Sequence, residues 1–309
     1  MARPLRIEYP GALYHVTSRG NEQKDVFKSR RDREQFLSYL ESATERYGAV
    51  IHAWCLMNNH YHLLLETPDG NLSQIMRHIN GAYTTYFNVK RKRAGHLFQG
   101  RYKAILVDAD AYVAELSRYI HLNPVRAGMV KKPEEYEWSS YRQYVGLAEP
   151  PAWLTTGFIL GYFSGKDPER AYQEFVTVAL VQDIENPFQT VVASTILGNT
   201  EFVRKISQQH LADKQPDRNV PAIKRLNRPT LEKIISTIDS EMSAQESLSR
   251  NVSIYFCHRY SGARLREIGE HFGLSDAAVS QASRRMRVMS EKDAAVRELL
   301  KRTLKILGL

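Results

Sequence analysis

Two imidazoles stand one residue apart in the stretch MNNHYHLLLE, at His60 and His62. The residues around them, VIHAWCLM before the Asn58-Asn59 pair and LLLE after, have the apolar and aromatic composition of β-strands. Successive side chains on a strand alternate faces, so His60 and His62 share one face and Tyr61 takes the other. Two neutral imidazoles side by side make half of a metal site, or two ordinary polar residues on a solvated face. A second candidate lies in ELSRYIHLNPVRAGMV, residues 115–130, where Tyr119 and Asn123 are four apart and share one helical face. Such a Tyr is commonly a core ring, and an Asn ahead of a Pro is commonly a cap. A phenol, with a free pKa of about 10, is a poor nucleophile at neutral pH. It attacks a phosphodiester when a nearby cation polarises the phosphate and stabilises the developing charge. His60, His62 and the amide oxygen of Asn123 would offer three ligands to such an ion, with positions left for phosphate oxygens. Mg²⁺ or Mn²⁺ suits the task, and two imidazoles favour Mn²⁺ or another transition ion.

The chain has 309 residues, enough for two or three domains. Its 43 Lys and Arg against 34 Asp and Glu give a formal charge of +9, which suggests a polyanionic partner. The excess is concentrated in KRKRAGHLFQGRYK, residues 90–103, where six basic residues (Lys90, Arg91, Lys92, Arg93, Arg101 and Lys103) occur with no acidic one. A solvated helix face would mix both signs. A flexible basic loop interrupted by Phe98 and Tyr102 suits a sugar-phosphate backbone with stackable bases. No run of about 18 apolar residues would span a membrane, and the start MARPLRIEYPGALYHV lacks the apolar segment of a secretory leader. Cys55 and Cys257 form no metal or redox pattern and are expected to be reduced thiols of a cytoplasmic protein.

Periodicity places a first strand at 12–18, a helix at roughly 29–47 closed by Gly48, strands at 50–57 and 61–66, and a helix at 72–89. After the basic loop come a strand at 104–108 and a third helix from 109 to 123, stopped by Pro124. The order β-α-β-β-α-β-α predicts an α+β, ferredoxin-like domain over residues 1–148, its antiparallel sheet open on one side as the floor of a site. Residues 149–230 read as a helical connector, with the Pro-, Asn- and charge-rich stretch 213–229 as a linker. Residues 231–309 read as an all-α region containing a helix-turn-helix. In LREIGEHFGLSDAAVSQASRRM, residues 265–286, Ile268 and Phe272 supply the first helix's core face, and Leu274, Val279 and Ala282 the second's. Gly273 permits the turn, Gly269 lets the helices approach, and Ser275 caps the second helix. That helix is expected to turn Ser280, Gln281, Arg284 and Arg285 outward, a set that reads base edges and phosphates in a major groove of duplex DNA.

The segments YHVTSRG, WCLMNNHYHLLLE, HLFQGRYKAILV, SRYIHLNPVRAGMV and WSSY, in this order, resemble the single-tyrosine HUH transposases, and among them the REP-associated tyrosine transposases of bacteria. The resemblance implies that His60 and His62 bind the metal, with Tyr61 in the apolar slot between them. It implies that Tyr119 is the nucleophile and that Asn123 takes the place of a polar third ligand, often Gln in relatives. The implied chemistry is that of a metal-dependent single-strand DNA endonuclease and strand-transferase, which forms a 5′-phosphotyrosine link and releases a 3′-hydroxyl on DNA with hairpin or palindromic repeats. The basic loop would hold the strand, and Arg19, within the 4–21 region, would add a contact. A nucleoid-associated cytoplasmic protein acting as a monomer or homodimer is expected. YFCHRYSGARLREIGEHFGLSDAAVSQASRRM is similar to the DNA-binding domain of bacterial replication initiators. The alternative reading is a sequence-specific DNA-binding regulator, derived from a transposase, that does not cut.

Overall fold

The computed structural model describes residues 5–163, 165–182, 186–211, 229–242, 246–261 and 263–307, and the chain divides into two units, Met1–His210 and Leu211–Leu309. In the first unit the strands are β1 (Ala12–Arg19), β2 (Val50–Leu56), β3 (His60–Thr67), β4 (Lys103–Val107) and β5 (Ile196–Leu197), ordered β2-β3-β1-β4-β5. The first four pair antiparallel, while the short β5 adds to β4 in parallel. With the helices α1 (Arg30–Tyr47), α2 (Leu72–Lys90) and α3 (Ala109–Arg126), the chain through Arg126 has the expected ferredoxin-like order. Among the described residues the unit continues with the α-helices α4 (Tyr141–Tyr144), α5 (Gly157–Leu160), α6 (Pro168–Val181) and α7 (Thr200–His210).

The two sheet faces are covered differently. Tyr61, which alternation turns away from the imidazoles, packs against Phe36 of α1 with ring centroids 4.8 Å apart and donates its hydroxyl to Asn80 of α2 at 2.7 Å. The α1 start is fixed by Ser29, whose side chain accepts from the Asp32 amide, and its end by Gly48 at φ 63°, a left-handed conformation that favours glycine. The opposite face was expected to be open. It is covered by α3, whose Val113, Leu116 and Ile120 join Leu13, Ala53 and Leu64 of the sheet in one core.

That core also takes in the segment expected to be a connector. In α6, Tyr172 and Val176 are fully buried in it. The β5 region is hydrogen-bonded to β4 through Leu106 N–H to Thr195 O and Asp108 N–H to Leu197 O, both 2.8 Å. Residues 149–210 are therefore part of the first unit, and its boundary falls near His210, not at 148. The stretch 213–228, most of the expected linker, lies outside the described residues.

The third helix does not stop at Pro124 but runs through it to Arg126. Proline lacks the N–H that would reach back one turn to the Ile120 carbonyl. The Asn123 side-chain amide supplies donors instead, to Tyr119 O at 2.8 Å and Ile120 O at 3.4 Å. The helix continues because a neighbouring side chain satisfies the carbonyl that proline leaves bare.

The second unit is all-helical among its described residues: α8 (Leu231–Glu241), α9 (Glu246–Tyr260), α10 (Leu265–Phe272), α11 (Asp276–Lys292) and α12 (Ala294–Ile306). Ile234, Phe256, Ile268, Val279 and Leu300 form its core. The turn between α10 and α11 uses Gly273 at φ 64°, and Ser275 caps α11 by accepting from the Ala278 amide. A Cβ on Gly269 would lie 2.4 Å from the Leu274 carbonyl oxygen, so glycine is what lets the turn close against α10. Among the described residues no helix is long and apolar enough to cross a membrane.

One buried charge joins α1 to the end of α2. Asp32 is 0 % exposed and receives Lys90 Nζ at 2.9 Å, the Arg91 guanidinium and the Lys28 amide at 2.9 Å. Burial alone would raise its pKa; these donors outweigh burial and hold the carboxyl at about 2, below its ordinary 3.8. A depressed carboxyl adds stability above the unfolded pKa and loses it as pH falls through the folded one. Asp32→Asn is expected to cost about 1.5–3 kcal/mol in urea unfolding near neutrality. The gap to the parent protein should close between about pH 4 and pH 2, where the parent carboxyl becomes protonated.

Candidate active site

The β1–β3 register sets Thr17 opposite His62 and Arg19 opposite His60, and the β1–β4 register sets Lys103 opposite Thr17. Cross-strand partners share a face, so His15, Arg19, His60, His62 and Lys103 all stand on the side that α3 covers. His62 is 7 % exposed and His15 is 4 % exposed. His15 Nε2 lies 3.0 Å from His62 Nδ1, with the rings stacked at 5.2 Å. The His60 and His62 centroids are 5.0 Å apart, and His60 Nδ1 lies 2.6 Å from the amide oxygen of Asn59. That oxygen can only accept, so His60 carries its proton on Nδ1 and keeps the Nε2 lone pair.

The α3 helix brings Tyr119 to this group. Its ring is 6.0 Å from His62 and 6.4 Å from His15, edge-on to both. Phe188, in the 3-10 turn Pro187–Thr190, packs 4.8 Å from Tyr119 and 4.8 Å from His15. The Arg126 guanidinium lies 4.9 Å from the Tyr119 ring centroid. Burial raises the Tyr119 pKa, and the positive charges of Arg126 and Arg19 oppose that rise. Burial likewise holds the imidazoles neutral: His15 falls to about 3, His60 to about 4 with help from Arg19, and His62 well below its ordinary 6.5. Neutral imidazoles are the form that binds cations.

The donors present suit a divalent cation. His62 Nε2 is buried without a hydrogen-bond partner, a loss of about 1–3 kcal/mol that a bound ion would offset. Among the described residues no group of three or more His, Cys, Asp and Glu side chains is placed to hold a metal. A cation held by His60 and His62 would need its other donors from amide or phosphate oxygens. Asn123 sits one turn beyond Tyr119, and its amide nitrogen is committed to the helix carbonyls, which leaves its oxygen as the atom for that role.

The basic residues divide into two groups. Lys90 and Arg91 are ion-paired with Asp32, and Phe98 and Tyr102 are buried, so these rings are not open to stacking bases. The loop is pinned to β1 by Asn21 N–H to Leu97 O and Gln99 N–H to Arg19 O, both 2.8 Å. Its solvent side offers Lys92, Arg93, Arg101 and Lys103, all exposed, as is Arg19. In the second unit Gln281, Arg284 and Arg285 of α11 are exposed and Ser280 is half-buried.

His15, Arg126 and Phe188 were not among the expected site residues. Alternation along β1 puts His15 and Arg19 on one face, but nothing local says which strand pairs beside it. Phe188 carries no sequence signal at all, since it reaches the site from a segment far along the chain.

Residues 9–123 match the family model described as transposase IS200 like. A Haemophilus influenzae protein described as a REP-associated tyrosine transposase is 27% identical over 122 residues, covering 36% of this chain and 69% of that protein. A solved REP-associated tyrosine transposase bound to a REP hairpin matches with TM-score 0.43 and 18% identity, over 50% of this chain and 92% of that one. A transposase structure from Deinococcus radiodurans R1 matches with TM-score 0.28 and 18% identity, over 38% of this chain and 95% of that one. Over residues 9–123 the chain is thus similar to IS200-like transposases, and over 122 residues to a protein described as a REP-associated tyrosine transposase.

The Asn123–Pro124 pair gives a test of the helix end that carries Tyr119. Asn123→Ala is expected to cost about 0.5–1.5 kcal/mol in chemical denaturation, as the Ile120 carbonyl loses its side-chain donor and the Tyr119 carbonyl an additional one. Pro124→Ala should cancel part of that loss in a double-mutant cycle, because its restored N–H can reach Ile120 O.

Proposed function

We propose that the protein is a metal-dependent tyrosine endonuclease and strand-transferase acting on single-stranded DNA with hairpin or palindromic repeats. One observation carries the reading: Tyr119 from α3 lies against the paired imidazoles of β3 within a single chain. The two parts are distant in sequence, and a binding-only module has no use for their meeting. The hairpin-bearing substrate class follows the resemblance to REP-associated transposases, which the H. influenzae relative supports.

In this reading His60, His62 and the Asn123 oxygen would hold Mg²⁺ or Mn²⁺, which would supply positive charge to the scissile phosphate. The Tyr119 oxygen attacks phosphorus as the bond to the 3′ oxygen breaks. The phenol gives up its proton and the departing oxygen takes one, leaving a 5′-phosphotyrosine and a 3′-hydroxyl. Attack by another 3′-hydroxyl reverses the step and joins a different strand, with no nucleotide consumed. Arg126 and Arg19 favour the phenolate electrostatically, against the burial that disfavours it. Arg19, Lys103, Lys92, Arg93 and Arg101 offer positive charge to the backbone of the bound strand.

The second unit is assigned duplex DNA. Its helix pair with Gln281, Arg284 and Arg285 exposed has the layout that docks a second helix in a major groove. Such a unit would direct the nuclease to chosen sites, or serve by itself in a regulator that does not cut.

Incubation with hairpin-bearing single strands and Mn²⁺ is expected to give a covalent protein–DNA band on a denaturing gel, and Tyr119→Phe should abolish it. Persistent absence of the band across many repeat sequences, with duplex binding intact, would leave the regulator. The double variant R284A/R285A is expected to weaken duplex binding in fluorescence anisotropy. The slope of its log affinity against log salt should flatten by about 0.9 for each phosphate that the variant no longer neutralises. The covalent band on single strands should be unchanged.

A further inference from the structure

We infer that His15 is a positioning residue for His62: it fixes which ring nitrogen of His62 is free for a cation. The inference rests on the metal-site reading of His60 and His62 and adds a residue to it. An imidazole has two nitrogens, and the partner of one decides the state of the other. For His60 the matter is settled by Asn59, whose amide oxygen takes the Nδ1 proton at 2.6 Å. For His62 the corresponding atom, Nδ1, meets His15 Nε2 at 3.0 Å. If His62 binds through Nε2, its proton sits on Nδ1 and points at the His15 Nε2 lone pair, and His15 then carries its own proton on Nδ1. Both imidazoles of the His-Tyr-His motif would thus present Nε2, each locked by an acceptor behind it.

The unpartnered atoms argue against a purely structural role. Burying the pair leaves two ring nitrogens, His15 Nδ1 and His62 Nε2, with no hydrogen-bond partner. An apolar side chain at position 15 would fill the space beside Phe188 and Tyr119 with no orphan of its own, but would leave His62 Nδ1 without its acceptor. A histidine there is poor core design and good support for a ligand.

The test is Mn²⁺ binding to the full-length protein, followed by calorimetry and by the electron paramagnetic resonance of free Mn²⁺, with thermal unfolding alongside. His15→Phe keeps a ring but no acceptor; His15→Gln keeps an acceptor oxygen near the Nε2 position. His15→Phe is expected to bind Mn²⁺ about 10–100-fold more weakly than the parent, while still unfolding in a cooperative thermal transition. His15→Gln should recover most of the affinity. If His15→Phe does not fold, His15→Met takes its place as the variant without a strong acceptor. Parent-like Mn²⁺ affinity in the apolar variant overturns the inference and leaves the metal site standing. So does a His15→Gln protein as weak as His15→Phe, since an acceptor at that place would then not restore the site. A parent protein that binds no Mn²⁺, or binds it equally well as His60→Ala, overturns the metal-site reading itself.

Discussion

The pairing of β1 with β3 is the constraint on which the rest of the site depends. A strand slipped by one residue would send every side chain to the opposite face. In the register observed, Thr17 faces His62 and Arg19 faces His60, so the imidazoles, His15 and the arginine share one face. The other face is held by the buried Tyr61, whose hydroxyl is taken by Asn80 and whose ring packs on Phe36. A slip would bury imidazoles among the aromatics of α1 and α2 and strip Tyr61 of both partners. The apolar packing on one side thus protects the chemistry on the other.

The nucleophile candidate is held by a comparable device. Two residues beyond Tyr119, on another side of α3, His121 is fully buried and bonded at both nitrogens, to Tyr172 Oη at 2.7 Å and Ser140 Oγ at 2.8 Å. Tyr172 also donates to Ser117 of α3 at 2.9 Å, and the Ser140 hydroxyl accepts from the Trp54 amide of β2 at 3.0 Å. A buried network with both imidazole nitrogens satisfied fixes the rotation of the helix as well as its place. The segment 149–210, with α6 and Phe188, is what supplies Tyr172 to this network and an aromatic wall to Tyr119. It belongs to the machinery of the first unit, whereas its sequence reads as spacing.

Histidines at neighbouring positions illustrate two uses of one side chain. His121 has partners at both nitrogens and acts as a structural tie. His15 and His62 share one contact and leave one nitrogen each without a partner. The same residue type, equally buried, is distinguished by its unmet valence. Positive charge shows a similar division. Lys90 and Arg91 neutralise Asp32 and tie α2 to α1, while Lys92, Arg93, Arg101 and Lys103 of the same basic run face solvent.

What the sequence by itself determined was everything local. Alternation in HYHLLLE put His60 and His62 on one side, the 3.6-residue period gave α1 to α3 their apolar stripes, and Ser275 and Gly273 marked the turn before α11. It also carried the family resemblance, because the motifs are short, contiguous and ordered. Only the tertiary structure decided what lies opposite what. His15 becomes a neighbour of His62 through strand pairing, and Tyr119 reaches the pair because α3 folds back across the sheet. Lys90 and Arg91 turn inward because Asp32 waits there, and Pro124 is tolerated because the Asn123 amide can reach two carbonyls. The sheet face expected to be open is closed by α3, and by residues more than a hundred positions from β1. Local patterns report the torsional and hydrophobic preferences of neighbouring residues; pairing across the chain is set by packing that no short window contains.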